Sequence, residues 1–349
     1  MRFGVVVHGP EVIDSGMARK VLDELGKVGQ VEATLGGAMG AAALIDAGLE
    51  ERISVKGRQL TSDALMELDG RCDEVILLNA AKTPASGQAF GHMVVSKILP
   101  RLSHPLVQID DGFYITWKLP LGHDVASLIR VLNLLEAPMP TLPESGRQRR
   151  VLSGVKIGES VWINGTVVGK ALDERVEIRG SNGRLEFSGL EVKEHGLAKL
   201  KVDDLTTAII RSGSVRRTKG ARREVVSRGE RVILVDHRAE DSLFRGRDLK
   251  AAVSVGDDTT CIATSLLARL GVPVIGIVDG DEDGICLDRE AAAGSVRIVL
   301  QPGNDDQVGA LVRDALFMGE DEVPYPDTLE SLVDRIITIA GDRVRRVQK

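Results

Sequence analysis

A run of acidic residues in the C-terminal third of the chain is the clearest place for chemistry. Asp279-Gly280-Asp281-Glu282-Asp283-Gly284 directly follows five apolar residues, 274–278, that predict a buried strand. Residues two apart on an extended chain point to the same side, so Asp279, Asp281 and Asp283 can meet one ligand. Carboxylate oxygens are hard ligands that favour Mg²⁺ or Mn²⁺. The run therefore predicts a metal site, and acids that merely solvate a loop are the alternative.

The same Asp-x-Asp-x-Asp-Gly spacing is found in calcium-binding loops. Those loops follow a helix, whereas residues 274–278 have the apolar, β-branched composition of a buried strand. We therefore favour Mg²⁺ over Ca²⁺ at this position.

Two further predicted strands of the C-terminal region, 231–235 and 251–255, also end in acidic loops. The carboxyl ends of parallel strands meet at one edge of a sheet, where ligands bind. Asp236 and Glu240 follow the first strand, and Asp257, after the second, is a further candidate metal ligand. Asp257 is equally a candidate helix N-cap. The candidate phosphate contacts beside it are Gly256, Thr259 and Thr260.

The N-terminal region has its own strand-end candidates for a nucleotide or another phosphate-bearing ligand. Glycines let a phosphate approach the backbone, and a helix start attracts an anion. Glycine packing of strand against helix is the alternative, and neither GxGxxG nor the P-loop spacing GxxxxGK[ST] is present. One such loop begins at Asn79, and Asp110-Asp111-Gly112 closes another strand at the same edge, which predicts a cleft. The candidate ligand contacts are His8, Gly9, Gly36, Gly37, Lys82 and Thr83.

A basic segment spans residues 211–231, where eight arginines and lysines stand against two acids. Basic side chains beside a metal site can hold phosphates, so the segment predicts a nucleic-acid contact. A solvated hinge is the alternative. The whole chain has a net charge of −6 and only 3% aromatic residues, which disfavours general affinity for polyanions and base stacking. The candidate nucleic-acid contacts are Arg216, Arg217, Arg222 and Arg223.

Size and composition indicate a packed protein of several domains, with 349 residues of which 43% are hydrophobic. No apolar run approaches the roughly 20 residues that span a bilayer, so we predict a cytoplasmic protein without membrane contact. The three cysteines, Cys72, Cys261 and Cys286, have apolar neighbours and form no CxxC pair, which predicts buried thiols. The composition leaves a homo-oligomer open.

Alternating strand and helix patterns near both ends of the chain predict two doubly wound, Rossmann-like α/β domains with parallel sheets. We place these domains at residues 1–137 and 232–349. Three prolines mark a linker at 138–150. Short strands separated by Asn-Gly and Ser-Gly turns predict a small antiparallel β barrel or sandwich at 151–202. A helix and the basic linker occupy 203–231.

The C-terminal domain resembles the Toprim fold of primases, topoisomerases and recombination-repair proteins. The likeness rests on a first strand that ends in an acid, a second that ends in Gly256, and a third that ends in Asp279-x-Asp281. It implies that Asp236 or Glu240 acts as general acid/base, and that Asp279 and Asp281 hold Mg²⁺ for phosphoryl transfer. Aspartate at position 236 departs from the glutamate of that fold.

Over its full length the chain resembles a conserved family of methanogenic archaea, the domain-of-unknown-function 2117 family. The likeness is carried by residues 6–16, VVHGPEVIDSG, and by Gly256-Asp257-Asp258-Thr259-Thr260. It implies an archaeal cytosolic protein and supports the predicted domain order, but it does not point to any particular activity.

Two functions are expected: a Mg²⁺-dependent protein that acts on or binds a nucleotide or nucleic acid, or a non-catalytic regulatory protein that binds a metabolite.

Overall fold

The computed structural model divides the chain into two compact units, Met1–Ala221 and Arg222–Lys349. Each unit contains a six-stranded sheet. At Ser181, His195 and Ala198 the structure describes the backbone alone. It describes all other residues except 38–39, 57–58, 141–147, 182–183, 199, 201, 203, 206–207, 214–228, 237–238, 240–241, 243–247 and 281–290.

The large sheet of the first unit is mainly parallel. Its strands are β1 (Arg2–Val7), β2 (Gln30–Leu35), β3 (Glu74–Leu78), β4 (Leu106–Ile109), β5 (Phe113–Lys118) and β6 (Leu135–Glu136). In space the order is β2-β1-β3-β4-β5-β6, the first four strands pair in parallel, and β5 is antiparallel to β4. β3 is buried at every residue and β1 at every residue after the first. Burial on both faces explains why these strands are continuous apolar runs.

Six helices described in the first unit connect and cover these strands. They are α1 (Glu11–Asp14), α2 (Met17–Gly26), α3 (Ala41–Ala47), α4 (Thr61–Asp69), α5 (Pro84–Val95) and α6 (His123–Val131). α2 is amphipathic and buries Val21, Leu22 and Leu25 along one side. α5 begins with a capping box in which the backbone N–H of Ser86 donates to Thr83 Oγ1. Local signals therefore account for where these helices begin and which side they bury.

Two small antiparallel sheets complete the first unit. Their elements are β7 (Arg149–Ser153), β8 (Ser160–Ile163), β9 (Thr166–Ala171), β10 (Arg175–Ser181), β11 (Arg184–Ser188), β12 (Leu190–Val192), α7 (Glu194–Ala198) and β13 (Ile210–Ser212). The sheets have the orders β11-β10-β7 and β12-β9-β8-β13. Asn164 and Gly165 form the turn between β8 and β9, with φ values of +50° and +87°. We call these two sheets the β module.

The helix predicted over residues 203–210 is wrong in the part that the structure describes. Leu205 lies in a turn and Ile210 begins β13. Leu205 and Ala208 are buried in the core of the β module, so their apolar character serves that core and not a helix face. The first strand of the module also begins at Arg149, inside the stretch predicted as linker.

The second unit is a separate α/β layer structure. Its elements are β14 (Arg231–Asp236), β15 (Leu249–Val255), α8 (Asp257–Leu267), β16 (Val274–Val278), β17 (Val296–Leu300), α9 (Asp305–Phe317), β18 (Glu322–Pro324), α10 (Leu329–Ala340) and β19 (Val344–Gln348). The order in space is β18-β14-β15-β16-β17-β19. The four inner strands are parallel and both edge strands are antiparallel to their neighbours. α9 and α10 share one core with Val253, Ile275 and Ile298 of the inner strands.

The predicted α/β class is confirmed, with two mainly parallel sheets and small antiparallel sheets between them in sequence. The sequence patterns omit the antiparallel strands β5, β18 and β19. β5 alternates buried and half-buried residues, β18 has three residues, and β19 is mostly exposed, so none shows the apolar run of an inner strand. None of the helices in the described part of the chain has the length and apolar character required to cross a membrane.

Glu74, the first residue of β3, is a buried carboxyl group with 2% of its surface exposed. Its Oε1 accepts a hydrogen bond from the backbone N–H of Gly122, while Oε2 has no partner among the described residues. Burial raises the pKa of Glu74, and the nearby charges of Asp124 and Asp73 act in the same direction. Folding therefore favours the neutral carboxyl relative to the unfolded chain, although the hydrogen bond from Gly122 opposes the shift in pKa.

A raised folded-state pKa makes the stability contribution of Glu74 complete below its unfolded pKa. The contribution is lost as pH rises through the raised value. As pH rises above about 4.3, the ordinary pKa of glutamate, we therefore expect Glu74→Gln to lose less unfolding free energy than the parent. Urea unfolding across this pH range measures the difference, with the exposed Glu51→Gln as control. Identical pH profiles for Glu74→Gln and the parent would refute the assignment.

Candidate functional sites

The carboxyl ends of β1 and β3 lie where the strand order of the large sheet reverses, and we call the position between them the crevice. β1 lies between β2 and β3, so the chain leaving β1 moves toward β2 and the chain leaving β3 moves toward β4. Such a reversal opens the gap in which doubly wound folds bind ligands. His8 and Gly9 follow β1, and the backbone N–H of His8 donates to Leu78 O over 2.8 Å. The predicted contacts His8 and Gly9 therefore lie where the topology favours a ligand.

A chain of three polar side chains runs from this crevice into the protein. His8 Nδ1 lies 3.0 Å from Asn79 Oδ1, and Asn79 Nδ2 donates to Asp110 Oδ2 over 2.7 Å. Asp110 is fully buried, and its Oδ1 accepts hydrogen bonds from the backbone N–H groups of Ala81 at 2.7 Å and Asp111 at 2.9 Å. Buried carboxylates are retained only when donors such as these compensate the lost hydration.

Gln108 of β4 anchors the inner end of the chain. Its Nε2 donates to Asp110 Oδ2 over 3.2 Å and to Gly87 O over 3.0 Å, and Trp117 Nε1 donates to its Oε1 over 3.2 Å. Gly91 of α5 passes so close that an added Cβ would lie 1.8 Å from Gln108 Oε1. The helix, β4 and β5 thus hold the polar chain in one arrangement. The sequence analysis missed Gln108, although a polar residue inside an apolar strand is a signal that could have identified it.

The His8 ring is half-buried and stacks on Phe90 of α5, with ring centroids 3.9 Å apart and an interplanar angle of 22°. Burial lowers the pKa of His8, although the hydrogen bond to Asn79 and the charges of Glu11 and Asp110 oppose the shift. The neutral imidazole is therefore favoured at neutral pH. A neutral ring has one nitrogen that donates and one that accepts.

The predicted glycines at this edge differ in what they do. Gly36 packs, because its N–H donates to Val7 O over 2.8 Å and an added Cβ would lie 2.8 Å from Val6 Cγ1. Gly9 and Gly37 have φ values of +82° and +92°, which L side chains rarely adopt. No described atom lies within 4 Å of an added Cβ at Gly37.

Lys82 and Thr83, predicted as ligand contacts, join the large sheet to the β module. Lys82 Nζ donates to the Glu159 carboxylate and, over 2.7 Å, to Ser212 Oγ. Thr83 is the N-cap of α5, and an added Cβ at Gly154 would lie 2.4 Å from its Oγ1. A ligand phosphate at Lys82 would have to compete with Glu159.

At the carboxyl edge of the second unit, Asp257 ties two strand ends together. Its Oδ2 accepts hydrogen bonds from the backbone N–H groups of Asp279 at 2.9 Å and Gly280 at 2.8 Å. Its Oδ1 accepts from Arg297 Nη2 at 2.9 Å, and the Asp257 side chain is 3% exposed. A metal ion at Asp257 would have to displace these donors. Asp257 is also the first helical residue of α8 and makes no N-cap hydrogen bond; the N-cap is Gly256.

Asp279 follows β16, and its Oδ2 accepts a hydrogen bond from the backbone N–H of Gly303, beyond β17. Its Oδ1 is buried and has no hydrogen-bond partner among the residues that the structure describes. Asp236 ends β14 on the same edge, where its Oδ2 lies 3.7 Å from Arg313 Nη2. The structure thus brings Asp257 and Asp279 together and pairs Asp236 with a cation.

The other candidates beside Asp257 have visible structural roles. Gly256 has φ +94° and ψ 147°, a conformation that favours glycine. Thr260 is buried, its Oγ1 lies 2.8 Å from Ser254 Oγ, and an added Cβ at Gly276 would lie 2.3 Å from its Cγ2. Thr260 therefore packs α8 onto the sheet, whereas Thr259 is half-buried at the helix start.

Several predicted residues lie outside the described parts of the chain. Within the described parts, no group of three or more histidine, cysteine, aspartate or glutamate side chains is arranged to hold a metal ion. Cys72 and Cys261 are buried, as predicted. The predicted residues outside are Glu240, Asp281, Asp283, Arg216, Arg217, Arg222, Arg223 and Cys286.

Comparison with known proteins gives a family. The family of uncharacterised proteins conserved in archaea, DUF2117, matches residues 5–320. An uncharacterised protein of Methanocaldococcus jannaschii is 36% identical over 340 residues, which cover 92% of this chain and 93% of the relative. No solved structure matches the chain, so the Toprim likeness stays an expectation from the sequence. With a family match over most of its length, the chain belongs to the DUF2117 family of proteins conserved in archaea.

Proposed function

We propose that this protein binds a small polar metabolite at the carboxyl ends of β1 and β3, as a binding or regulatory protein. The observation that carries the proposal is the buried chain Asp110–Asn79–His8, which starts inside the sheet and ends at the crevice. Burying the carboxylate of Asp110 and the amides of Asn79 and Gln108 costs stability unless each group is hydrogen-bonded. A chain whose outer end is a neutral imidazole at a topological switch point supports recognition of a ligand there.

The charges around the crevice bear on the ligand. Lys82 is engaged by Glu159 and Ser212, and Asp110 adds a buried negative charge behind His8. These contacts support a ligand that meets His8 with a neutral polar group and keeps any phosphate away from it. The backbone at Gly37, where no described atom lies within 4 Å of an added Cβ, is a position at which such a phosphate could bind.

The second candidate is the Mg²⁺-dependent site for a phosphate-bearing ligand in the second unit. The observation that favours it is the buried Oδ1 of Asp279, which has no hydrogen-bond partner among the described residues. An orphaned carboxylate oxygen costs stability, and a divalent cation would compensate it. Mg²⁺ is held through one or two carboxylates and waters, so Asp279 with Asp281 would suffice.

Thermal unfolding in the presence of test compounds separates the two candidates, because a ligand of the native state raises its melting temperature. The compounds are nucleosides, nucleotides, sugars, sugar phosphates, amino acids, Mg²⁺, Mn²⁺ and Ca²⁺. We expect at least one organic compound to stabilise the protein by about 2.7 kcal/mol at a hundred times its Kd. The crevice predicts that this gain disappears in His8→Phe, which keeps the stack on Phe90 but removes both ring nitrogens.

Asp279→Asn serves as the matched variant at the other site. It should leave the organic ligand's effect intact, while a Mg²⁺ effect that it abolishes would support the second candidate. If no organic compound raises the melting temperature, or if its effect survives His8→Phe, the proposed crevice function is wrong.

A further inference from the structure

We propose that Asp110 and Asn79 hold His8 in the tautomer with the proton on Nδ1, so that Nε2 offers its lone pair to a hydroxyl or N–H group of the ligand. This inference rests on the proposed function and specifies the chemistry of the group that meets His8. It follows from which atoms in the chain can donate and which can only accept.

Asp110 sets the direction of the chain because both of its oxygens face donors. Oδ1 accepts from two backbone N–H groups, which have a fixed direction and cannot act as acceptors. Oδ2 faces the side-chain amide nitrogens of Asn79 at 2.7 Å and Gln108 at 3.2 Å. Three of these four donors are fixed independently of Asn79, because Trp117 decides the orientation of Gln108, and three such donors favour the ionised carboxylate. Asp110 therefore acts as an acceptor only.

Two amide groups then have a single consistent orientation. If Asn79 were rotated by 180°, its Oδ1 would face the Asp110 carboxylate at 2.7 Å, oxygen against oxygen. Gln108 is fixed independently, because Trp117 Nε1–H only donates and must therefore meet Gln108 Oε1. Amide orientations are usually ambiguous, but here donors of known direction at both ends decide them.

The orientation of Asn79 decides the histidine tautomer. Asn79 Oδ1 can only accept, so His8 Nδ1, 3.0 Å away, must carry the proton. In a neutral imidazole the other nitrogen then keeps its lone pair. Nε2 has no hydrogen-bond partner among the described residues, and the ring is half-buried. The stack on Phe90 thus holds the lone pair in place, and no described residue donates a hydrogen bond to it.

A fixed acceptor selects the ligand group that it meets. A hydroxyl or N–H hydrogen completes the hydrogen bond, whereas an ionised phosphate or carboxylate oxygen would place one lone pair against another. The buried charge of Asp110 disfavours such an anion further. We therefore assign the position beside His8 to the hydroxyl or N–H end of the metabolite, so that an ionised group has to bind elsewhere.

Nitrogen-15 NMR of the histidine rings in the full chain tests the tautomer at neutral pH without any ligand. His8 is identified by the signal lost in His8→Phe. His104 is an internal reference for a proton on Nδ1, because its Nδ1 lies 2.7 Å from the carbonyl oxygen of Asp69, which can only accept. We expect wild-type His8 to show the same pattern, with a bare Nε2.

Asp110→Asn should reverse the direction of the hydrogen bonds that run from residue 110 through Asn79 to His8. The new amide group would donate to Asn79 Oδ1, Asn79 Nδ2 would turn to His8 Nδ1, and the proton would move to Nε2. The matched control, Asp111→Asn, changes an exposed neighbour and should leave the tautomer as it is. If Asp110→Asn does not fold, Asn79→Leu replaces it and should give signals averaged between the two tautomers.

Diethyl pyrocarbonate, which modifies an unprotonated and accessible imidazole nitrogen, tests whether Nε2 is presented to the outside. We expect modification of His8 in the folded protein, at a rate at least fivefold lower in Asp110→Asn than in the parent or Asp111→Asn. A proton on Nε2 in the wild type, an unchanged tautomer in folded Asp110→Asn, or an unreactive His8 would overturn the inference. Because neither measurement uses a metabolite, failure of the proposed function and failure of this inference are distinguishable.

Discussion

Asp110→Leu is expected to lower the free energy of unfolding by about 3–5 kcal/mol, because it removes from the buried interior the acceptor that four donors share. Those donors are the N–H groups of Ala81 and Asp111 and the side-chain amides of Asn79 and Gln108. Leucine has the branching of aspartate and larger end groups, so the loss contains unpaired donors and some overpacking but no cavity.

Tryptophan fluorescence during urea unfolding measures this loss in the correct unit. Both tryptophans of the chain, Trp117 and Trp162, lie in the first unit. The control Asp111→Leu places the same side chain at an exposed neighbouring position and should change the free energy by no more than about 0.5 kcal/mol. Equal effects of the two substitutions would show that the polar chain does not stabilise the fold, and would remove the basis of the crevice proposal.

Asp257→Ala is expected to lower the free energy of unfolding by about 2–4 kcal/mol, the second largest effect. Its carboxylate accepts hydrogen bonds from Asp279 N, Gly280 N and Arg297 Nη2. Hydrogen bonds to a buried charged group stabilise more than neutral ones, and the half-exposed Arg297 reduces the expected share of its ion pair. The substitution should release the end of β16 while leaving its buried strand intact.

Amide hydrogen exchange followed by mass spectrometry locates the effect. Peptides that contain residues 279 and 280 should exchange faster in Asp257→Ala. The control Asp306→Ala removes an exposed acid from the first turn of α9 and should cost about 1 kcal/mol or less. If Asp257→Ala left exchange at 279 and 280 unchanged and still abolished a Mg²⁺ effect on stability, Asp257 would be a ligand and not a tie between strands.

The inner strands and their helices could be predicted from the sequence because their signals are local. β16 was predicted with its observed limits, 274–278, and β14 to within one residue, since buried parallel strands show plain apolar patterns. Edge strands escaped prediction, because their residues alternate in burial or face solvent. The helix predicted at 203–210 was wrong because its apolar residues Leu205 and Ala208 pack in the core of the β module.

The candidate residues show a similar division. Sequence order placed His8, Asn79 and Asp110 at strand ends, which is a local inference. His8 and Asn79 are 71 residues apart in sequence, and Asn79 and Asp110 are 31 apart. Their hydrogen bonds form only because the strands that carry them are neighbours with aligned registers. Lys82 and Asp257 were predicted as ligand contacts on the strength of their charges. The charges that occupy them, Glu159 and Arg297, come from distant strands or loops that no local pattern connects.

By itself, the sequence of this protein determined its α/β class, the inner strands, most helices, its likeness to an archaeal family and the set of polar residues at strand ends. These depend on side-chain periodicity and residue type, which are properties of short segments. Only the tertiary structure decided which polar atoms are satisfied: Asp257 by amides and Arg297, Lys82 by Glu159, and His8 Nδ1 by Asn79. Hydrogen bonding depends on distances and directions between segments far apart in the chain, and those exist only once the sheet has assembled.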